Sequence, residues 1–234
     1  MRINFLFIGI ILIVLLGECF VHDQTNKEFA DFWSNNFRIA SWLLMGLWYY
    51  QLQKMNFGRK QLLFLISIIL PIIVSLTSYL MLERTAIIIN IIINGIIFGI
   101  WIYYFHNLGA RVNIRDTEKT LNKISPAFFL FPLLFYFFSL YQTLTGIYTI
   151  LVFLYVLIFS YTGIVAVFLP VSEERKLYII LALSLLVIAN IMNAYHTFLQ
   201  KLLWAYPVIR TITVASKCML IYGITDFEVK TDKV

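Results

Sequence analysis

Long apolar runs separated by short polar segments dominate the chain. A helix needs about 20 mostly apolar residues to cross the hydrocarbon core of a bilayer. Eight runs have this length, and the pattern predicts an all-α fold, a polytopic integral membrane bundle of eight transmembrane helices in a single domain, residues 1–234. The predicted spans are 4–20, 37–53, 61–81, 86–106, 126–143, 146–170, 177–198 and 204–223.

Composition excludes a soluble protein. The chain is 61% hydrophobic and 13% charged, with a mean hydropathy of +0.86, whereas soluble proteins carry about 25% charged residues. The net charge of +6 does not indicate a nucleic-acid partner, because the cations fall in the loops. We expect membrane lipids as partners. No cofactor, metal site or protein partner follows from the sequence.

The distribution of lysine and arginine predicts the orientation. Cytoplasmic loops carry an excess of these residues. Counting alternate loops assigns four of them to one side, which are Lys27, Arg38, Arg84 and Lys201. The other side receives twelve, which are Arg2, Lys54, Arg59, Lys60, Arg111, Arg115, Lys119, Lys123, Arg175, Lys176, Lys230 and Lys233. Both termini are therefore predicted to be cytoplasmic. The protein itself is predicted to lie in the inner (plasma) membrane of a bacterium.

The first predicted span raises the question of whether it is removed after synthesis. The start of the chain resembles a signal peptide, but Glu18 precedes Cys19 and no small-x-small cleavage site follows, so the first span is predicted to be retained.

Pro71 and Pro132 fall inside predicted spans, where they are expected to kink the helices. An aromatic belt at the membrane interfaces is predicted from Trp42, Trp48, Tyr49, Tyr50, Trp101, Tyr103, Tyr104 and Trp204.

Ionisable groups inside a membrane are costly and are functional candidates by default. All twelve Asp and Glu residues lie outside the predicted spans or at their ends. The seventh span carries Asn190, Asn193 and His196 at i, i+3 and i+6. These three side chains either line a cavity or form interhelical hydrogen bonds, which contribute about 1 kcal/mol each.

The last span contains Arg210 and Lys217, which are seven residues apart and so share one helical face. In one interpretation each side chain snorkels to its own interface. In the other, Arg210 pairs with Glu18 or Glu83. Lys217 then faces lipid phosphates or the carboxylates at 173–174. The sequence leaves both interpretations open.

Two of the spans have motifs similar to those of a known family. In "RIASWLLMGLWYY" (38–50) a Leu-Leu-Met element ends at Met45, with Ser41 and Trp42 where the family carries Lys-Pro. In "LVFLYVLIFSYTG" (151–163) Tyr155 occupies the position of a tyrosine in a similar apolar frame. On these motifs the chain resembles the YhhN family, the lysoplasmalogenase-like membrane proteins.

The last two spans extend the resemblance and show its departures. In "LLVIANIMNAYHTF" (185–198) Asn190 stands where the family has the aspartate of a Ser-Asp pair. In "TITVASKCMLIYG" (211–223) Gly223 matches, Thr213 stands at a tyrosine, and Lys217 stands at a glutamine. The Gly-Asp pair of the third span and a histidine late in the fourth are missing.

The resemblance implies eight helices with cytoplasmic ends and an activity that cleaves the vinyl-ether bond of lysoplasmalogens. Because both family aspartates are absent, it predicts a protein that binds, and in a divergent form hydrolyses, a lysophospholipid-type amphiphile. The alternative is a non-enzymatic membrane scaffold or a carrier of a small solute. No catalytic residue is assigned. The candidate head-group residues are Ser41, Asn190, Asn193, His196, Arg210 and Lys217.

Overall fold

The computed structural model describes residues 2–24, 26–112 and 128–225. In these ranges the regular structure is helical and no strand occurs, which confirms the all-α prediction for this part of the chain. The α-helices are α1 (Arg2–His22), α2 (Lys27–Gln53), α3 (Arg59–Ile69), α4 (Pro71–Leu80), α5 (Glu83–Asn107), α6 (Phe131–Phe135), α7 (Ile147–Val167), α8 (Glu173–Phe198) and α9 (Ala205–Thr225).

Six helical stretches in the described ranges are long and apolar enough to cross a membrane. One of them combines α3 and α4. The chain is therefore an integral membrane protein. The six stretches are Asn4–His22, Arg59–Leu80, Glu83–Asn107, Ile147–Val167, Glu173–Phe198 and Ala205–Thr225.

The other two predicted spans have a different character. The span 37–53 is part of α2, a helix of 27 residues whose first half carries polar and charged side chains. The span 126–143 corresponds to α6 and a π-helical turn over Tyr136–Leu140, and its first two residues lie outside the described ranges. The count of eight spans and the cytoplasmic termini stay predictions.

Proline interrupts two of the apolar stretches. α3 ends at Ile69 and α4 begins at Pro71, so the helical hydrogen-bond pattern breaks at this point. Proline lacks the N–H that would continue the ladder, and its ring clashes with the preceding turn. Pro132 lies in the first turn of the short helix α6. Both prolines therefore act as helix starts.

The chain divides into two compact units, residues 1–97 and residues 98–234, and the division falls within α5. In the N-terminal unit, α1 packs along α2, and α2 also packs against α3 and α4. In the C-terminal unit, α8 packs along α9, and α7 packs against α6 and α8. Each unit has its own buried side chains, and the candidate site lies in the second.

An ion pair joins α1 to α2 in the N-terminal unit. Glu18 is completely buried, and its Oε1 lies 3.2 Å from the Nε of Arg38. From the sequence, Glu18 was expected at the end of the first span, where a carboxylate can reach water. In the structure its side chain is buried between α1 and α2. Gly17 allows this packing, since a Cβ there would lie 3.1 Å from the ring of Phe37.

The predicted aromatic belt is wrong for most of its members. A belt residue must face lipid, so its side chain must lie on the outside of the helical unit. Span ends also have an inward face, and the apolar pattern does not distinguish the two. Tyr50, Tyr103 and Trp204 are exposed, whereas the buried members are Trp42, Trp48, Tyr49, Trp101 and Tyr104.

Candidate functional site in the C-terminal unit

The close contact between α8 and α9 fixes which face of α9 is buried. A Cβ at Gly223 would lie 2.7 Å from Cγ1 of Ile179, so only glycine permits this approach. The hydroxyl of Ser216 donates to the carbonyl oxygen of Ala182 across the same interface at 2.7 Å. Small residues and hydroxyl groups are typical of helix contacts in membranes. This packing turns Lys217, the next residue after Ser216, into the unit.

Lys217 is only 5% exposed, and its Nζ lies 4.0 Å from the centre of the Trp101 ring. Trp101 itself is completely buried on α5. In the described ranges Lys217 makes neither an ion pair nor a hydrogen bond, so the indole ring is what faces its charge. Arg210 is also buried, at 7% exposure. Both cations are therefore largely covered by the rest of the chain. The snorkelling interpretation, which concerns their depth in the membrane, stays a prediction.

Trp101 belongs to a cluster of four aromatic side chains. It consists of Phe98 and Trp101 on α5 with Tyr155 and Phe159 on α7. The ring of Phe98 lies edge-on to Trp101 with centroids 5.3 Å apart. The same ring lies 4.7 Å from Phe159 and 5.7 Å from Tyr155. The four rings thus form one contiguous cluster, and Trp101 is the ring that contacts the lysine.

A hydrogen bond closes the other end of this cluster. The phenol of Tyr155 donates to Oδ1 of Asn190 on α8 at 2.8 Å. Tyr155 also stacks on Phe159, one turn along α7. The sequence singles out Tyr155 and Asn190 on separate helices, and the structure brings them together. The Lys217 ammonium and the Tyr155–Asn190 pair are therefore linked through one aromatic cluster.

The remaining predicted site residues lie elsewhere. Asn193 is exposed, although it is only three residues from Asn190. His196 accepts a hydrogen bond at Nδ1 from the backbone N–H of Leu202, which fixes the turn after α8. Ser41 belongs to the N-terminal unit, where its buried hydroxyl donates to the carbonyl oxygen of Arg38 at 2.8 Å. Asn190, Asn193 and His196 therefore do not share one environment.

Sequence reasoning missed the aromatic partners of the lysine. Phe98 and Trp101 are three residues apart on α5, so they share a face of that helix. That spacing is the one signal in the sequence, and it does not show which helix the face contacts. Trp101 was expected at the membrane interface. Its contact with Lys217 joins α5 to α9, and the two residues are more than a hundred positions apart in the sequence, so no local pattern indicates it.

The side chains of the site suit contact with an anion better than acid–base catalysis. The site offers one ammonium group, one phenol and one amide, and an amide does not exchange protons readily. In the described part of the chain, no group of three or more His, Cys, Asp or Glu side chains is arranged to hold a metal ion.

Comparison with known proteins does not identify the site. No family model, curated protein or solved structure matches this chain.

Proposed function

We propose that this integral membrane protein binds a lysophospholipid-type amphiphile, as its resemblance to the YhhN family suggests, with Lys217 holding the phosphate where that family carries a glutamine. The observation that carries the proposal is the buried Lys217 ammonium, which faces an indole ring and makes no ion pair in the described ranges. A phosphate group would supply the missing negative charge. The acyl chain of such a ligand is compatible with the aromatic cluster, because its rings are apolar.

The balance of energies favours an anionic partner. A lysine at the centre of a membrane helix costs about 3 kcal/mol. A cation–π contact that is shielded from water returns about 2 kcal/mol. The Trp101 ring therefore offsets most of the cost of burying Lys217, and about 1 kcal/mol remains for a ligand to offset.

The Tyr155–Asn190 hydrogen bond supports the family resemblance within this proposal. Both residues occupy positions that the resemblance identifies, on the sixth and seventh predicted spans. Their contact at 2.8 Å is what a shared head-group region would require. Asn190 would orient the head group, because its amide can donate to a phosphate or glycerol oxygen while its Oδ1 accepts from Tyr155.

Hydrolysis of a vinyl ether is the second part of the proposal. That reaction needs a proton donor to the enol-ether carbon and an activated water molecule. Asn190 replaces the aspartate that the family resemblance would assign to such a role. We therefore expect binding with little or no turnover. Purified protein incubated with a lysoplasmalogen tests this part. Sustained aldehyde release would show that the protein is an active hydrolase although position 190 lacks the aspartate, and it would contradict the expected lack of turnover.

Replacing Lys217 with glutamine tests the binding part. We expect the affinity for lysophosphatidylglycerol to fall about tenfold, because a charge-assisted contact contributes roughly 1.5–3 kcal/mol. Native mass spectrometry of the purified protein, titrated with the lipid, measures the bound fraction. The Lys201→Gln variant is the matched control, since Lys201 is an exposed lysine between α8 and α9. Equal affinity in Lys217→Gln and Lys201→Gln would remove Lys217 from the proposal.

A non-enzymatic scaffold or small-solute carrier is the competing function. The observation that favours it is the same contact, because Lys217 and Trp101 connect α9 to α5 and so also serve packing. The Lys217→Gln titration separates the two functions. A scaffold predicts lower stability and unchanged lipid affinity in that variant.

A further inference from the structure

A polar cavity of about 520 Å³ lies in the N-terminal unit. Its walls come from the end of α1, the first half of α2 and the end of α4. Pockets that bind small ligands usually have volumes of about 300–1,000 Å³. All of its lining residues belong to the unit of residues 1–97, so it shares no residue with the site around Lys217.

Most hydrogen-bond donors in the cavity wall are already used. The hydroxyl of Ser34, the hydroxyl of Ser78 and the amide nitrogen of Asn35 each donate to a backbone carbonyl oxygen four residues earlier. The amide oxygen of Asn35 is buried and has no hydrogen-bond partner in the described ranges. These three donors are therefore satisfied within their own helices, and the Asn35 amide oxygen is left as an acceptor for an occupant.

The cavity is lined by the carboxylates of Glu28 and Asp31, by Arg38 and by the ring of His22, on which the charges of Arg38 and Asp31 act. Arg38 lines the wall, but its guanidinium is paired with the buried carboxylate of Glu18. Glu28 and Asp31 are exposed on α2, three residues apart, and neither makes an ion pair in the described part of the chain. Tyr79 adds an aromatic ring that is 52% exposed.

We propose that this cavity binds an organic ammonium group, held by the carboxylates of Glu28 and Asp31 and by the ring of Tyr79. Two carboxylates attract a cation, and an aromatic face contributes a further cation–π contact. The ammonium group comes either from a free small amine or from the amine end of a phospholipid head group. This site is independent of the proposed phosphate contact at Lys217, so either can fail alone.

Calorimetric titration of the purified full-length protein with choline chloride tests the free-amine source, with sodium chloride as the ionic control. We expect saturable binding that weakens at least tenfold in the Glu28→Gln/Asp31→Asn double variant. Asp23→Asn is the matched control, because Asp23 is an exposed carboxylate near the end of α1 that does not line the cavity. It should bind choline as the unaltered protein does.

The head-group source is tested with lysophosphatidylcholine and lysophosphatidylglycerol of the same acyl chain. A preference for the choline lipid that disappears in the double variant assigns the ammonium group to a lipid. The proposal is overturned if the unaltered protein shows neither choline binding nor this preference, or if the double variant keeps both.

A second variant protects the test against a folding defect. Tyr79→Leu retains both carboxylates, and we expect it to weaken binding of the ammonium ligand about fivefold. Thermal unfolding of each variant verifies that the fold persists. If the double variant does not fold and Tyr79→Leu binds as tightly as the unaltered protein, the proposed site is wrong.

Discussion

Replacing Arg38 with methionine lowers the free energy of unfolding by about 3 kcal/mol or more. The reason is that Glu18 is completely buried between α1 and α2, and its Oε1 lies 3.2 Å from the Arg38 Nε. Removing one member of a buried ion pair costs about 3–5 kcal/mol, because the other charge stays in an apolar environment. Unfolding of the purified protein by titration with sodium dodecyl sulfate measures the change.

Two further variants make this prediction specific to the ion pair. Lys27→Met removes an exposed cation from the start of the same helix, and we expect a change within about 0.5 kcal/mol. The Glu18→Gln/Arg38→Met double variant should recover a large part of the loss, because neither charge then stays buried. A single Arg38→Met variant as stable as Lys27→Met would contradict the account of the α1–α2 interface.

Replacing Gly163 with alanine destabilises the C-terminal unit by about 1–3 kcal/mol. A Cβ at this position of α7 would overlap Cδ1 and Cγ of the Phe129 ring. The ring of Phe129 is itself buried, at 1% exposure, so it cannot move away without disturbing its neighbours. The same detergent titration measures the loss.

Gly99 provides the matched control for this substitution. It is an exposed helical glycine on α5, and no atom lies within 4 Å of a Cβ built there. Gly99→Ala should therefore leave stability unchanged or raise it by up to about 1 kcal/mol through helix propensity. In a Phe129→Ala background the penalty of Gly163→Ala should disappear. A penalty of equal size in both backgrounds would show that Phe129 is not the cause.

The helices themselves could be predicted from the sequence because burial in lipid leaves a local signal. A run of about 20 apolar residues is readable without knowing any long-range contact. The break at Pro71 was readable for the same reason, since proline acts on its own turn. The α2 helix was underestimated, because its polar first half extends the helix beyond the apolar run 37–53.

The contacts of the charged and aromatic side chains could not be predicted in the same way. Lipid and protein interior are both apolar, so the pattern does not show which face of a membrane helix is buried. Trp101 illustrates the limit, because it reads as an interfacial residue and yet covers Lys217. Arg38 illustrates it too, since its partner Glu18 lies on another helix. The polar cavity draws on three helices and leaves no local motif.

The most direct test of the account compares two lipids that differ only in the phosphate. Lysophosphatidic acid and the monoacylglycerol of the same acyl chain carry no ammonium group, so the proposed cavity in the N-terminal unit does not contribute. If Lys217 holds the phosphate of an amphiphile, the unaltered protein binds lysophosphatidic acid about tenfold more tightly, and Lys217→Gln loses the difference. Equal affinity for the two lipids in the unaltered protein would contradict the proposed function.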